Sequence, residues 1–317
     1  MVSERPARRL PWAVLTASIV MSAVLLTVPL LPQLVSFVLP ATTRETPARV
    51  RTPIRHDPRG VRALPRLVEN AAPDLNRIIE ETQVELTHRP SDAELRFRLA
   101  FALEQRGDTD RAIEEYLTVI QLAPGHVWAR NNLGVLYAKR GQYDEAIGKF
   151  GEALFRDPQH QVARLNSGLV FLKIGDTEAA LRQFRMLLTI NPKHVEGLIG
   201  LGRVYLEQGE FEQAASQFRE ALAVDPQSAN AERFLGKALL KKGDVAGAVS
   251  AYRRAAHLRP HDPSTRYELA LALDAHGQRA EAVSELRRLL ERLPHDAEGD
   301  AVRGLVEASL RRWGAGP

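Results

Sequence analysis

The sequence predicts an all-α protein, an α-solenoid of stacked helical hairpins, and three columns of residues predict it. Seven prolines stand 34 residues apart: Pro90, Pro124, Pro158, Pro192, Pro226, Pro260 and Pro294. A glycine column (Gly107, Gly141, Gly175, Gly209, Gly243, Gly277) and an alanine column (Ala112, Ala146, Ala180, Ala214, Ala248, Ala282) keep the same period. A fixed period of this size signals an array of one small supersecondary unit. Such an array is quasi-one-dimensional and presents an extended binding surface.

Residues 127–160 make one unit. Trp128, Leu133, Val135, Leu136 and Tyr137 recur at helical spacing until Gly141-Gln142 breaks the run. Ala146, Ile147, Phe150, Ala153 and Leu154 form a second apolar stripe, which Asp157-Pro158 ends. Proline inside a helix costs about 3 kcal/mol and turns the preceding residue away from the helical region. Regularly placed prolines therefore mark boundaries. Glycine between the stripes suits a left-handed helix C-terminus. The unit reads as helix, tight turn, helix, loop.

A second small column, Ala100, Gly134, Gly168, Gly202, Gly236 and Ala270, lies mid-way along each first helix. Glycine there sacrifices up to about 1 kcal/mol of helix propensity, and close approach of the paired helix explains it. The predicted partners are the large column Tyr116, Phe150, Phe184, Phe218, Tyr252 and Leu286.

On these residues the chain resembles the tetratricopeptide repeat family. Leu133-Gly134, Tyr137, Ala146, Phe150 and Pro158 fall at that family's fixed offsets. The tryptophan element departs from the pattern, since Arg96, Arg130, Arg164 and Arg266 hold its place. The resemblance implies a right-handed solenoid of six repeats over residues 93–296.

The segments outside the period are read by composition. A solenoid needs atypical ends, and residues 74–92 and 297–317 are the expected N- and C-terminal capping helices. Asp74 is the N-cap candidate of the first, while Val302, Leu305, Val306 and Trp313 give the second an apolar stripe. Residues 41–73 form a linker with five prolines and seven arginines, a composition that favours an extended tether. Residues 1–9 are a basic tail. Residues 10–40 hold no charge, and Trp12–Leu31 supplies 20 mostly apolar residues, about the length that crosses a bilayer core. The run is long for a cleaved signal, so one uncleaved transmembrane helix is expected before the repeats. Its orientation has two readings. Arginines beyond the span (Arg44, Arg49, Arg51, Arg55, Arg59) favour a cytoplasmic repeat domain. The signal-like start with Arg5, Arg8 and Arg9 favours export, and export is the adopted expectation.

Charge and motif content narrow the function. The isoelectric point is near 9.5, which invites a nucleic-acid reading. Residues 1–73 carry ten arginines against four acids, however, leaving 33 basic and 35 acidic side chains in the rest. The repeats are thus near neutral, and nucleic acid is not an expected partner. There is no cysteine, so disulfide and thiolate metal sites are excluded. No phosphate loop, zinc-protease pair, nucleophile elbow or dinucleotide fingerprint occurs, so neither a catalytic residue nor a cofactor or metal is expected. His126, His160 and His194 recur at the repeat period; ligands must lie about 2 Å from one ion, and successive hairpins hold equivalent residues too far apart for that.

The resemblance supplies the candidate site. First helices of the family line a concave face that holds extended peptides or partner helices. Here the corresponding positions are Phe97, Phe101, Asn131, Asn132, Val135, Leu165, Asn166, Leu169 and Ile199, followed by Arg203, Arg233, Lys237 and Lys241. An apolar half beside a basic half suits a ligand with hydrophobic anchors and an acidic end. Family members that clamp chaperone C-termini use lysine and asparagine where Phe97 and Phe101 stand. The asparagine ladder of the sugar-transferase repeats is matched only by Asn132 and Asn166, against Arg98, Gly200, Phe234 and Glu268. The expected function is a non-catalytic, membrane-tethered scaffold binding a protein or peptide partner. The alternative is a client-specific module of an envelope process such as cytochrome maturation, secretion or polysaccharide assembly. Self-association through the end faces is also open.

Overall fold

The computed structural model describes residues 74–294 and 297–316. The expected basic tail, membrane span and linker lie outside them. Fourteen helices make up the described residues. The helix α1 (Leu75–His88) precedes the period, and Asp74 caps it by accepting the Arg77 amide proton. Three hairpins follow: α2 (Ala93–Arg106) with α3 (Thr109–Leu122), α4 (Val127–Lys139) with α5 (Tyr143–Arg156), and α6 (Gln161–Ile174) with α7 (Thr177–Ile190). Three more are α8 (Val195–Glu207) with α9 (Phe211–Val224), α10 (Ala229–Lys242) with α11 (Val245–Leu258), and α12 (Pro263–Ala275) with α13 (Arg279–Leu290). The last helix is α14 (Ala297–Arg312). Among the described residues no helix is long and apolar enough to cross a membrane.

Local chemistry sets the helix ends. The glycine between the helices of each hairpin has positive φ, for example 83° at Gly175 and 94° at Gly243, a conformation that L side chains resist. The residue before each first helix caps it through its side chain. Asp92, Ser228 and Asp262 do so through oxygen. His126, His160 and His194 do so through Nδ1, which accepts from the amides of Ala129, Ala163 and Gly197 at 3.1–3.2 Å. The repeated histidines are therefore N-caps, a role that the sequence reading missed because histidine is not a usual capping residue.

Packing within each hairpin follows the small and large columns. A Cβ placed on Gly134 would sit 2.7 Å from Phe150, and one on Gly168 would sit 2.7 Å from Phe184. Gly202 and Phe218 repeat the arrangement at 2.5 Å, and Gly236 with Tyr252 at 3.0 Å. These aromatics and Tyr116 are fully or almost fully buried. Phe184 also covers Gly200 of the next hairpin, so one ring locks two units.

Stacking then defines a face. The second helix of each hairpin packs on the first helix of the next, and first helices α4 and α6, α6 and α8, and α8 and α10 also touch one another. Second helices show no comparable contact with one another. First helices thus lie closer together than second helices, and the array bends towards the first-helix side. At the far end α14 buries Val306 and Leu310, with Val302 and Trp313 partly buried beside them. Trp128, expected to belong to an apolar stripe, is 50% exposed and meets His160 edge-on at 4.5 Å.

The arginines in the tryptophan place are struts. Arg96 donates to the Pro90 carbonyl at 2.9 Å and to Glu115 at 2.8 Å. Arg266 repeats this with Pro260 at 2.7 Å and Glu285 at 2.8 Å. Each ties the proline loop to its own second helix. Arg130 reaches Glu152 at 3.2 Å. The same two columns carry the reversed pair in the fifth hairpin, where buried Glu232 accepts from Arg254 at 2.6 and 2.9 Å.

Four outcomes follow from these contacts. Gly168→Val must displace the Phe184 ring and lowers stability by about 1–3 kcal/mol. Gly151→Ala, on an exposed face of α5 with nothing within 4 Å, raises stability by about 0.5–1 kcal/mol; urea unfolding of both variants checks the pair. Arg266→Ala breaks two charge-assisted bonds in a half-buried site and lowers stability by about 2 kcal/mol. The fourth outcome concerns acid. Burial pushes the His126 and His160 imidazoles below their ordinary range. The unfolded chain, titrating near about 6.5, then binds protons more readily, so cap stability is lost as pH falls below that value. The melting temperature should drop on acidification, and His160→Asp, which keeps an acceptor, should drop less.

Candidate functional site

The first-helix face divides into two halves with different chemistry. In the front half the amides are occupied. Asn166 donates to Asn131 at 3.0 Å, Asn131 to Asn132 at 3.0 Å, and Asn132 to the Tyr116 hydroxyl at 3.0 Å. Tyr116 donates in turn to Glu104 at 2.8 Å, and Lys139 stands 3.7 Å from that carboxylate. Burial raises the Glu104 carboxyl above its usual range, against the opposing pull of Tyr116 and Lys139. The chain of bonds fixes each amide and crosses three first helices. Asn131 and Asn166 are buried in it, and Asn132 is half-buried.

The apolar candidates are divided by packing. Val135, Leu165, Leu169 and Ile199 are buried, with Leu165 and Leu169 joined to Phe184, Leu187, Leu201 and Val204. Leu165, Leu169 and Ile199 serve chiefly as contacts between successive hairpins. Phe97 is half-buried against Tyr116 at 5.7 Å and His126 at 4.6 Å. Phe101 is 47% exposed. It presents a large apolar surface to solvent, as Trp128 does on α4 at 50%.

The back half is centred on Phe234. Its ring lies 4.6 Å from the Arg233 guanidinium carbon, 5.3 Å from that of Arg203, and 5.7 Å from the ring of Phe218. Arg233 also pairs with Glu268 at 3.3 Å. Burial pushes the Glu268 carboxyl up, and Arg233 and Lys237 oppose that shift. Arg203 has neither hydrogen bond nor ion pair among the described residues, and burial, then Arg233, bring it down to about 10. Lys237 is half-buried and Lys241 exposed.

Sequence reasoning had set Phe234 and Glu268 aside as mismatches to an asparagine ladder. They occupy the same column as Asn132 and Asn166, which was the available signal: one column serves as an amide chain at one end and a cation platform at the other. Tyr116 and Glu104 were missed because their second role depends on a neighbouring hairpin. Among the described residues no group of three or more histidine, aspartate or glutamate side chains is arranged to hold a metal ion.

Comparison with known proteins agrees with this architecture. Tetratricopeptide repeat models match residues 66–127, 131–195 and 199–263, and a further one matches residues 239–306. The chain belongs to the tetratricopeptide repeat family, whose members are protein-interaction scaffolds. No curated protein matches it. Among solved structures it is similar to the anaphase-promoting-complex assembly Cut9–Hcn1, with a TM-score of 0.62 and 16% identity over 74% of this chain. The match spans 46% of that longer chain. A tetratricopeptide repeat protein from Parabacteroides merdae gives a TM-score of 0.62 at 16% identity, covering 74% of this chain and 92% of the other. One from Thermus thermophilus gives 0.53 at 25% identity, covering 59% and 100%.

Proposed function

We propose that the chain is a membrane-tethered scaffold that holds a protein or extended peptide on its first-helix face, with the repeat domain exported. The observation that carries the reading is the contrast within that face. Most of its side chains are committed to packing or to one another, yet Phe101 stays exposed and Arg203 stays unpaired. Exposed aromatic side chains and unpaired cations on a face whose amides and aliphatic side chains are satisfied are features of a binding site rather than of a fold requirement. The apolar, charge-free segment near the N-terminus supports the tether.

The absence of native cysteine makes site-directed labelling direct. A cysteine at Phe101 should react with a membrane-impermeant maleimide without lysis of the inner membrane. Labelling that requires such lysis overturns the exported orientation. The same cysteine should crosslink to a partner in intact cells, whereas one at exposed Leu117 on α3 should not. Crosslinks from Leu117 alone overturn the first-helix face as the binding surface.

A further inference from the structure

We propose that the outward face of α5 is a surface on which a second copy of this chain docks antiparallel, through Phe155, Gly148 and Gly151. The contact lies on the second-helix side of the array, away from the first-helix face, and leaves that face open.

Phe155 is 83% exposed, more than any other large apolar side chain among the described residues. The solenoid does not need an aromatic there, since the other second helices place Gln121, Thr189, Ala223, His257 and Glu291 in the same column. Gly148 and Gly151 lie on the same outward face, two turns and one turn before it, and a Cβ on either would meet nothing within 4 Å. Each sacrifices up to about 1 kcal/mol of helix propensity, and neither admits a ring as Gly134 admits Phe150. The later second helices carry arginine in the Gly151 column, at Arg185, Arg219, Arg253 and Arg287. The face of α5 is thus cleared of long side chains, and nothing in its own hairpin accounts for the clearing. A groove of about 400 Å³ opens beside it, lined by Arg130, Gly151, Glu152, Phe155 and Arg156.

Self-complementarity selects a second copy as the occupant. The face holds both halves of one contact, an apolar knob and a hollow that can receive it. Its two ends carry opposite charge, Asp144 and Glu145 in the first turn and Arg156 in the last. A two-fold rotation about an axis beside Gly151 brings each half to the other. Phe155 lies four residues past that axis, about 6 Å along the helix, and Gly148 three residues before it, about 4.5 Å. Each Phe155 then rests over Gly148 of the other copy, as Phe150 rests on Gly134 within the hairpin. Arg156 falls within about a turn of Glu145 and Asp144 of the other copy. The Glu152 side chains near the axis are already matched in their own chains, by Arg130 at 3.2 Å and Lys149 at 2.6 Å. Such a contact is isologous and closes on itself. One pair of crossing helices falls short of the roughly 1,200 Å² of a stable interface, so the dimer is weak and depends on concentration.

Cysteine crosslinking of the purified full-length chain tests this, because the sequence holds no native cysteine. A disulfide needs Cα atoms within about 7 Å of each other, a separation that a close helix crossing provides at its axis. Under mild oxidation in detergent micelles, Gly151→Cys should form a covalent dimer about tenfold or more faster than Leu117→Cys. Leu117 is exposed and holds the same column on α3. Phe155→Glu or Gly148→Leu, added to Gly151→Cys, should bring the rate down to that of Leu117→Cys. Both sites are exposed and Gly148→Leu raises helix propensity, so melting temperatures should be unchanged or higher. Glu145→Cys, about 9 Å from the axis, should not link to its own copy, as it would in a parallel pair. Equal rates for Gly151→Cys and Leu117→Cys, a rate that survives both added substitutions, or self-linkage through Glu145→Cys overturns the proposal. Adducts of Gly151→Cys with another protein in intact cells, without any self-adduct, also overturn it.

Discussion

The contact on which the array depends is the insertion of one aromatic ring against one glycine backbone, repeated from hairpin to hairpin. At Gly134, Gly168 and Gly202 the ring of Phe150, Phe184 or Phe218 occupies the space that a Cβ would need. Glycine weakens each first helix, and the ring it admits returns that loss as buried apolar area. The approach sets the spacing of each hairpin. Phe184, lying over both Gly168 and Gly200, carries that spacing into the next one. The alanine column gives the second helices the same narrow profile, with Ala112, Ala146, Ala180, Ala214, Ala248 and Ala282 wholly buried.

Polar groups are arranged around this packing rather than within it. The arginine struts hold the proline loops against their own hairpins, so the boundary that proline imposes is also mechanically tied. Arg130–Glu152 and Glu232–Arg254 use the same two columns with reversed charge, so the fold fixes no particular residue there. It accepts an ion pair of either polarity, and the fourth hairpin, with buried Leu198 in the first of these columns, does without one. The amide chain from Asn166 to Glu104 links hairpins in the front half, where a long apolar residue would block the face. In the back half the equivalent column turns to Phe234 and Glu268, and cations gather around them. The face thus changes character along its length while its backbone geometry repeats.

Legibility in the sequence follows the distance over which each feature is decided. Helix boundaries were readable because proline, positive-φ glycine and the cap residue act within a few positions, and the period then copies them. The pairing of Gly134 with Phe150 was readable because the two columns keep a constant offset. The candidate face was readable only as a set of positions. Leu165 and Leu169 were placed on it from the family pattern, and their burial against the next hairpin could not be read from their own unit. Arg203 and Phe101 stand at equivalent positions of different hairpins, and what distinguishes each is the residue opposite it on a neighbour.

By itself, then, the 34-residue period determined the all-α class, the number of hairpins and the residues that close each one. The tertiary structure alone decided which side chains of the first-helix face are consumed by stacking and which stay available. The physical reason is that exposure on a solenoid is a property of adjacent units. Phe234 becomes a platform because Arg203 comes from the preceding first helix and Arg233 from its own, and Glu268 from the following one then matches Arg233 and leaves Arg203 unmatched.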